Sequence, residues 1–407
     1  MSEPLMDQLA NRLARPVGES ERKRARLHLL DWLACVAGAR KSAMWGTGGL
    51  LRLGTGGAAL VGNMLEMDDV HRTALLHPGP VIWPAVLDQP LDSMEQALDA
   101  GVRGYEAMIA VGAALDAHHY AHWHPTATTG GVGAAAAVAS VWGLDAERTG
   151  WAMANAASVA GGLWHLRHTD ALTKQWHVYH AVATGVDAAF AAMNGISGPG
   201  AILEGEQGLF AAMTRAPRLL GGSTEGWAIH EVSLKPWAAC RHAHPAIDAA
   251  MTLRAEGNLT PPFRLQTYAD AIRFCDRSQP CTPAEARFSL QHAVAVVADG
   301  RSAAPADFEE EAIAALAPLR HEVSVTHDPA ITARYPGHFG ARLNGLELVD
   351  TLGDPERPMT RSQLLAKVHT LFAWSGLSRD EADRIACITL DSDDVQAVDT
   401  WIMDRTT

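Results

Sequence analysis

His124-Pro125-Thr126-Ala127-Thr128-Thr129-Gly130-Gly131-Val132-Gly133-Ala134-Ala135-Ala136-Ala137 admits two readings with different folds. Residues 131–136 match G-x-G-x-x-A, the turn that binds a dinucleotide in a doubly wound α/β protein. That turn needs a buried strand before it and an acid about twenty residues on. What precedes it here is His122-Trp123-His124-Pro125-Thr126-Ala127-Thr128-Thr129, polar and carrying a proline. No lysine follows the glycines, so a phosphate-binding P-loop is excluded as well. The stretch therefore reads as the entry into a helix. Its alanines and glycines lie on several faces and let other helices approach closely, as do those of 151–160 and 181–194. These segments are expected to be central helices packed on one another.

The same texture extends from about residue 20 to 230. Ser20 is placed to cap a helix whose apolar stripe is Leu27, Leu30, Leu33 and Cys35. Residues 44–57 hold G-T-G-G twice, at Gly46 and Gly54, and read as a connection. After about Glu231 the pattern changes. Strand-like runs at 263–268, 322–326 and 340–349 alternate with helical stretches at 284–297 and 308–316. Glycine and proline cluster at 353–360. Thr360 and Ser378 then sit where helix caps belong, the second with acids in its first turn. The expected architecture is mainly α: a large helical domain from residues 1–232 and 361–407, with a smaller α+β domain, 233–360, inserted.

Composition narrows the function. A chain of 407 residues with 48% hydrophobic and 19% charged residues holds a sizeable core. A formal charge of −13 argues against nucleic acid or an anionic membrane as partner, yet leaves room for a small anion in a locally cationic cleft. Five scattered cysteines form no zinc or disulfide pattern and fit a reducing compartment. The first residues lack the look of a signal peptide, and no apolar run reaches membrane-spanning length. A cytoplasmic protein is expected. Nineteen histidines include the pairs His122-x-His124, His165-x-x-His168 and His177-x-x-His180, but their spacing is loose and no H-E-x-x-H occurs, so no metal is expected. A G-x-S-x-G elbow is absent, which sets a covalent serine aside.

Chemistry concentrates at four places. Glu66-Met67-Asp68-Asp69-Val70-His71-Arg72 crowds acids, imidazole and guanidinium between the apolar runs 58–61 and 81–86. His77-Pro78-Gly79 and His124-Pro125-Thr126 each place a histidine before a proline that opens a helix. At the positive end of the helix dipole an imidazolium is disfavoured, so a neutral imidazole able to take a proton is expected. Lys174, in Thr173-Lys174-Gln175-Trp176-His177, and Lys235, in 234–242, lie among apolar neighbours. There an ammonium must be paired, deprotonated or snorkelled, and a bound carboxylate is a suitable partner, with Arg241 able to add a bidentate grip.

Five separated blocks resemble the MmgE/PrpD family: E-M-D-D-V-H with L-H-P-G, the opening stretch, 194–199 (N-G-I-S-G-P), 234–241 (L-K-P-W-A-A-C-R) and 353–360 (G-D-P-E-R-P-M-T). They occur in the family's order, over roughly residues 20–375. The family includes 2-methylcitrate dehydratase, cis-aconitate decarboxylase and iminodisuccinate epimerase. The resemblance implies a helical domain with an α+β lid, a homodimer, and catalysis with no metal or organic cofactor. The family's site histidines fall on His77 and His124, its lysines on Lys174 and Lys235, and its acidic block on Glu66 to Asp69.

Where family members commonly read D-F-D-D-T, this chain has Glu66, Met67 and Val70. A longer acid and a missing hydroxyl point to an acid other than cis-aconitate or 2-methylcitrate. The expected activity is a lyase, dehydratase-like, acting by proton transfer beside a carboxylate of a small di- or tricarboxylate. An epimerase or isomerase of an amino- or imino-dicarboxylate, a decarboxylase, and a non-catalytic carboxylate binder are the alternatives. His77, His124, Lys174, Asp68 and Asp69 are the candidate catalytic set. Lys235, Arg241, His71, Arg72 and Glu66 are the candidate substrate-binding set.

Overall fold

The computed structural model describes residues 3–42, 44–45, 56–169, 171–221 and 226–406. Most of the glycine-bearing connection expected at 44–57 lies outside the described residues. The protein is mainly α and divides into two compact units. One comprises Met1–Met64, Asp69–Val232 and Ser378–Thr407; the other comprises Leu65–Asp68 and Ser233–Leu377.

In the first unit the helix Pro125–Val141 packs against Met94–Ala114, Ala146–Ser158 and Thr173–Met193. It is buried along nearly its whole length. Its glycines explain how. A Cβ on Gly133 would come within 3.0 Å of the Gly104 carbonyl oxygen, and one on Gly104 within 3.1 Å of that of Gly133. The residues that mimic a dinucleotide fingerprint therefore serve helix–helix contact. Across the other interface, a Cβ on Gly185 would collide with the Ala134 Cβ. Ser20 is not a cap: the helix is Glu19–Gly38, Gly18 precedes it with extended backbone, and the Ser20 hydroxyl donates to Glu21.

The second unit carries a four-stranded sheet in the spatial order Val323–His327, Phe263–Thr267, Ala341–Leu343, Leu346–Leu348. The first pairing is parallel, with Phe263 opposite Val323; the other two are antiparallel. Asn344 and Gly345 both take positive φ (45° and 95°), which closes the last hairpin with the twist that two-residue loops favour. Helices His244–Ala255 and Leu290–Ala298 pack on each other and on this sheet.

Two helical readings need correction. Residues 284–297 are two helices, Pro283–Arg287 and Leu290–Ala298, because the Ser289 side chain accepts from the His292 amide and starts a new one. Residues 308–316 likewise split into a 3-10 turn, Pro305–Phe308, and a short helix, Glu310–Ala315.

Thr360 caps Arg361–Ser375 in a capping box with Gln363, and Ser378 does the same with Glu381 for Arg379–Asp391. The chain changes unit between those two helices, at Ser378 and not at Arg361. The helix Arg361–Ser375 is tied to the second unit by its own side chains: Lys367 is buried and its ammonium donates to the Met67 carbonyl at 2.5 Å.

Candidate active site

Both His-Pro turns are built as their sequence suggests. His124 is the N-cap of Pro125–Val141, with Pro125 in the first turn, and its amide donates to the Gly162 carbonyl at 2.8 Å. His77 precedes the helix Gly79–Leu87, and its amide donates to the Thr126 hydroxyl at 3.0 Å, one residue from the other proline. Thr126 thus ties the two turns together. The His77 Nδ1 lies 2.9 Å from the Asp69 carbonyl oxygen. A carbonyl can only accept, so Nδ1 carries the proton and, in the neutral ring, Nε2 does not. The backbone sets His77 in the tautomer of a base.

His124 is 2% exposed. Its ring lies against that of Trp164, with centroids 4.5 Å apart, and its Nδ1 lies 3.3 Å from the Nδ1 of His177. Burial drives its pKa well below the usual histidine value, and the charges of Lys174, His177 and His77 push the same way. The neutral state expected from the helix dipole is therefore secured mainly by desolvation. The same interactions place His77 and Lys174 each within electrostatic reach of His124. Lys174, half-buried, is the second residue of Thr173–Met193, and His177 follows it by one turn. Beneath them His119 is fully buried, with Nε2 3.0 Å from the Thr128 hydroxyl, and burial lowers its pKa to about 4.

The acidic run 66–72 divides between the two units. Asp69, 2% exposed, turns its carboxylate inward. Oδ2 accepts from the Tyr105 hydroxyl at 2.6 Å and meets His28 Nδ1 at 2.8 Å, while Oδ1 accepts from the Gly79 amide at 2.8 Å. A Cβ on Gly79 would sit 2.8 Å from that oxygen, which is why the motif ends in glycine. Burial and the Asp69 charge raise the Tyr105 pKa well above its usual value, so the phenol stays a donor. Asp69 holds His77 through its backbone and is itself held by Tyr105, His28 and Gly79.

His71 uses both nitrogens: Nδ1 accepts from the Ala74 amide of its own turn at 3.1 Å, and Nε2 lies 3.3 Å from the distant Glu231. That hydrogen bond first, and the charges of His71 and Arg72 after it, lower the Glu231 pKa against the opposing effect of burial. Arg72 is itself buried.

In the second unit Lys235 is fully buried, which excludes snorkelling. Its ammonium is 3.5 Å from Asp68 Oδ1 and 3.9 Å from Glu66 Oε2. Glu66 takes a left-handed φ of 54°, a conformation that costs a non-glycine residue about 1–3 kcal/mol and tends to mark functional sites. Arg241 forms a buried ion pair with Asp354, whose carboxylate also accepts from the Ser233 hydroxyl at 2.7 Å and the Thr351 amide at 3.0 Å. Its guanidinium lies over Phe339. Arg241 thus anchors the loop. His244, also fully buried, donates from Nε2 to the Ala239 carbonyl and is kept well below the usual pKa by burial, then by Arg241 and Lys235.

Each unit therefore holds one polar cluster in an apolar surround. The first offers the neutral His124 imidazole with His77 and Lys174 within reach of it; the second offers Lys235 among carboxylates. Among the described residues, the one set of three groups near enough to share a cation is His338, Asp350 and Glu356, which includes none of the paired histidines. Sequence reasoning did not single out His177 as a neighbour of His124, nor Tyr105 and His28 on Asp69, nor Lys367. His177 had a usable signal, one turn after Lys174 on the same helix; the others are lone polar residues in apolar helices.

The MmgE/PrpD N-terminal domain matches residues 41–219, and the MmgE/PrpD C-terminal domain matches residues 237–394. The chain belongs to the MmgE/PrpD family. Both clusters fall within or beside the matched domains. Among curated relatives, this MmgE/PrpD chain is 27% identical to human cis-aconitate decarboxylase (Homo sapiens) over 271 residues, 60% of this chain and 55% of that protein. To the Mus musculus cis-aconitate decarboxylase it is 30% identical over 198 residues, 45% of this chain and 40% of that protein. The alignments thus span about half the length of these relatives.

Proposed function

We propose that the protein is a lyase of the MmgE/PrpD type, moving a proton at the carbon beside a carboxylate of a small di- or tricarboxylate. One observation carries the reading: His124 is kept neutral within reach of the Lys174 charge and of His77, whose Nδ1 is turned to the Asp69 carbonyl. A C–H beside a carboxylate is a weak acid, so its removal needs a close base and cations that stabilise the charge spreading into the carboxylate. The imidazoles serve as base and acid, and Lys174 pairs with the substrate carboxylate.

Lys235, beside Asp68 and Glu66 in the second unit, is proposed to bind a carboxylate. Asp69 positions His77, and His71 and Arg72 shape the turn. Arg241 is reassigned from gripping substrate to holding the Lys235 loop. This chemistry requires no metal or organic cofactor.

Loss of a hydroxyl after proton removal gives a dehydratase; protonation on the opposite face gives an epimerase. The activity for which the two relatives are named favours decarboxylation as the second reading, since it too generates and protonates a carbanion. A homodimer is proposed through Thr173–Met193, where Trp176, Phe190 and Met193 are 50%, 58% and 38% exposed. Sedimentation should show a dimer in the wild type and a monomer in Phe190→Asp; a monomeric wild type contradicts it. The functional test is proton–deuterium exchange in deuterium oxide over succinate-like, citrate-like and amino-dicarboxylate acids. Exchange beside a carboxylate in one class supports the reading, whereas thermal stabilisation without exchange across the panel favours a carboxylate binder.

A further inference from the structure

We propose that His177 is the positioning residue of His124, accepting the proton of its Nδ1 and so reserving its Nε2, unprotonated, for the reacting carbon. The proposal rests on the proton-transfer reading above and deepens it. The two Nδ1 atoms are 3.3 Å apart, a hydrogen-bond distance that requires one proton between them. Two bare nitrogens would repel, and two protonated ones would set N–H against N–H, so one ring donates and the other accepts.

The surroundings of the two rings decide which donates. His124 is 2% exposed, and among the described residues its ring makes this one hydrogen bond. A bare lone pair on His124 Nε2 is the form that tolerates the neighbouring Lys174 charge. His177 is less buried and lines a cavity of about 120 Å³ with His180, Thr128 and Thr184, where water can take its Nε2–H.

Gly162 fixes the spacing of the pair. Its carbonyl takes the His124 amide, its φ is +99°, and a Cβ on it would collide with the Ala127 Cβ and sit 3.5 Å from His177 Nδ1.

The tautomer can be read without any substrate, by nitrogen-15 NMR of histidine-labelled protein, the His124 signal being assigned by its absence in His124→Asn. The expected result is a protonated Nδ1 and an unprotonated Nε2 in the wild type, and a mixture in His177→Leu. With the acid that exchanges, His177→Leu should lower kcat by on the order of ten- to a hundredfold with KM within about twofold. His177→Asn, whose amide can accept at the same position, should recover most of it. A wild-type His124 protonated on Nε2, or an unchanged tautomer in His177→Leu, overturns the proposal. The expected tautomer with full activity in His124→Asn would leave this assignment standing and instead refute the proton-transfer reading.

Discussion

Asp69 shows how one residue can organise a site without facing it. Its backbone fixes the His77 tautomer while its side chain takes three hydrogen bonds from the interior. Tyr105→Phe removes one donor to a buried carboxylate and should destabilise the protein by about 1.5–3 kcal/mol, read as a lower urea midpoint. An unchanged midpoint would mean that His28 and Gly79 suffice. His77, His124 and the lysines were legible because proline and helix entry give a histidine a predictable place, and because lysine is rare among apolar neighbours. The partners were not. Tyr105 and His28 reach Asp69 from 36 and 41 residues away, and Asp354 reaches Arg241 from 113, separations that no local pattern encodes. Nor could the sequence show that the counter-ion of Arg241 is supplied by the protein, at Asp354.

At the scale of elements, close approach depends on small residues, and adjacent glycines make the point testable. Gly161 has an ordinary φ and no atom within 4 Å of the place a methyl group would occupy, so Gly161→Ala should change stability by no more than about 1 kcal/mol. Gly162→Ala meets both a positive φ and Ala127, and should cost about 1–3 kcal/mol, with exchange activity falling as His124 and His177 are displaced. Equal effects in thermal and urea unfolding would contradict this account of the loop. The central helices were legible from alanine and glycine content, since a helix buried on all sides carries no amphipathic period. Helix starts were less so. Ser289 interrupts a continuous apolar run by capping from within it, and Ser20 looks like a cap one residue inside the helix that Gly18 begins.

For the molecule as a whole, buried neutral histidines predict sensitivity to acid. Burial holds His119 and His292 at about 4 against 6.5 for an exposed ring. Between those values the unfolded chain binds protons that the native one does not. Stability is therefore full above pH 6.5, falls between 6.5 and 4, and levels off below. By about pH 5 each should have cost about 2 kcal/mol, and His124, His177 and His244 act in the same direction. Urea midpoints at about pH 7.5 and about pH 5 check this, and a midpoint that rises on acidification contradicts it. The inserted α+β segment was visible in the change of texture near residue 231. The Gly/Pro cluster at 353–360 lies inside the second compact unit, and the chain leaves that unit a helix later, at Ser378. The central claim is that imidazole, not a bound group, moves the proton. Deuterium uptake beside the carboxylate of the active acid, compared between wild type and His124→Ala with unchanged circular dichroism, tests it most directly. The account predicts a loss on the order of a hundredfold or more; uptake at the wild-type rate would contradict it.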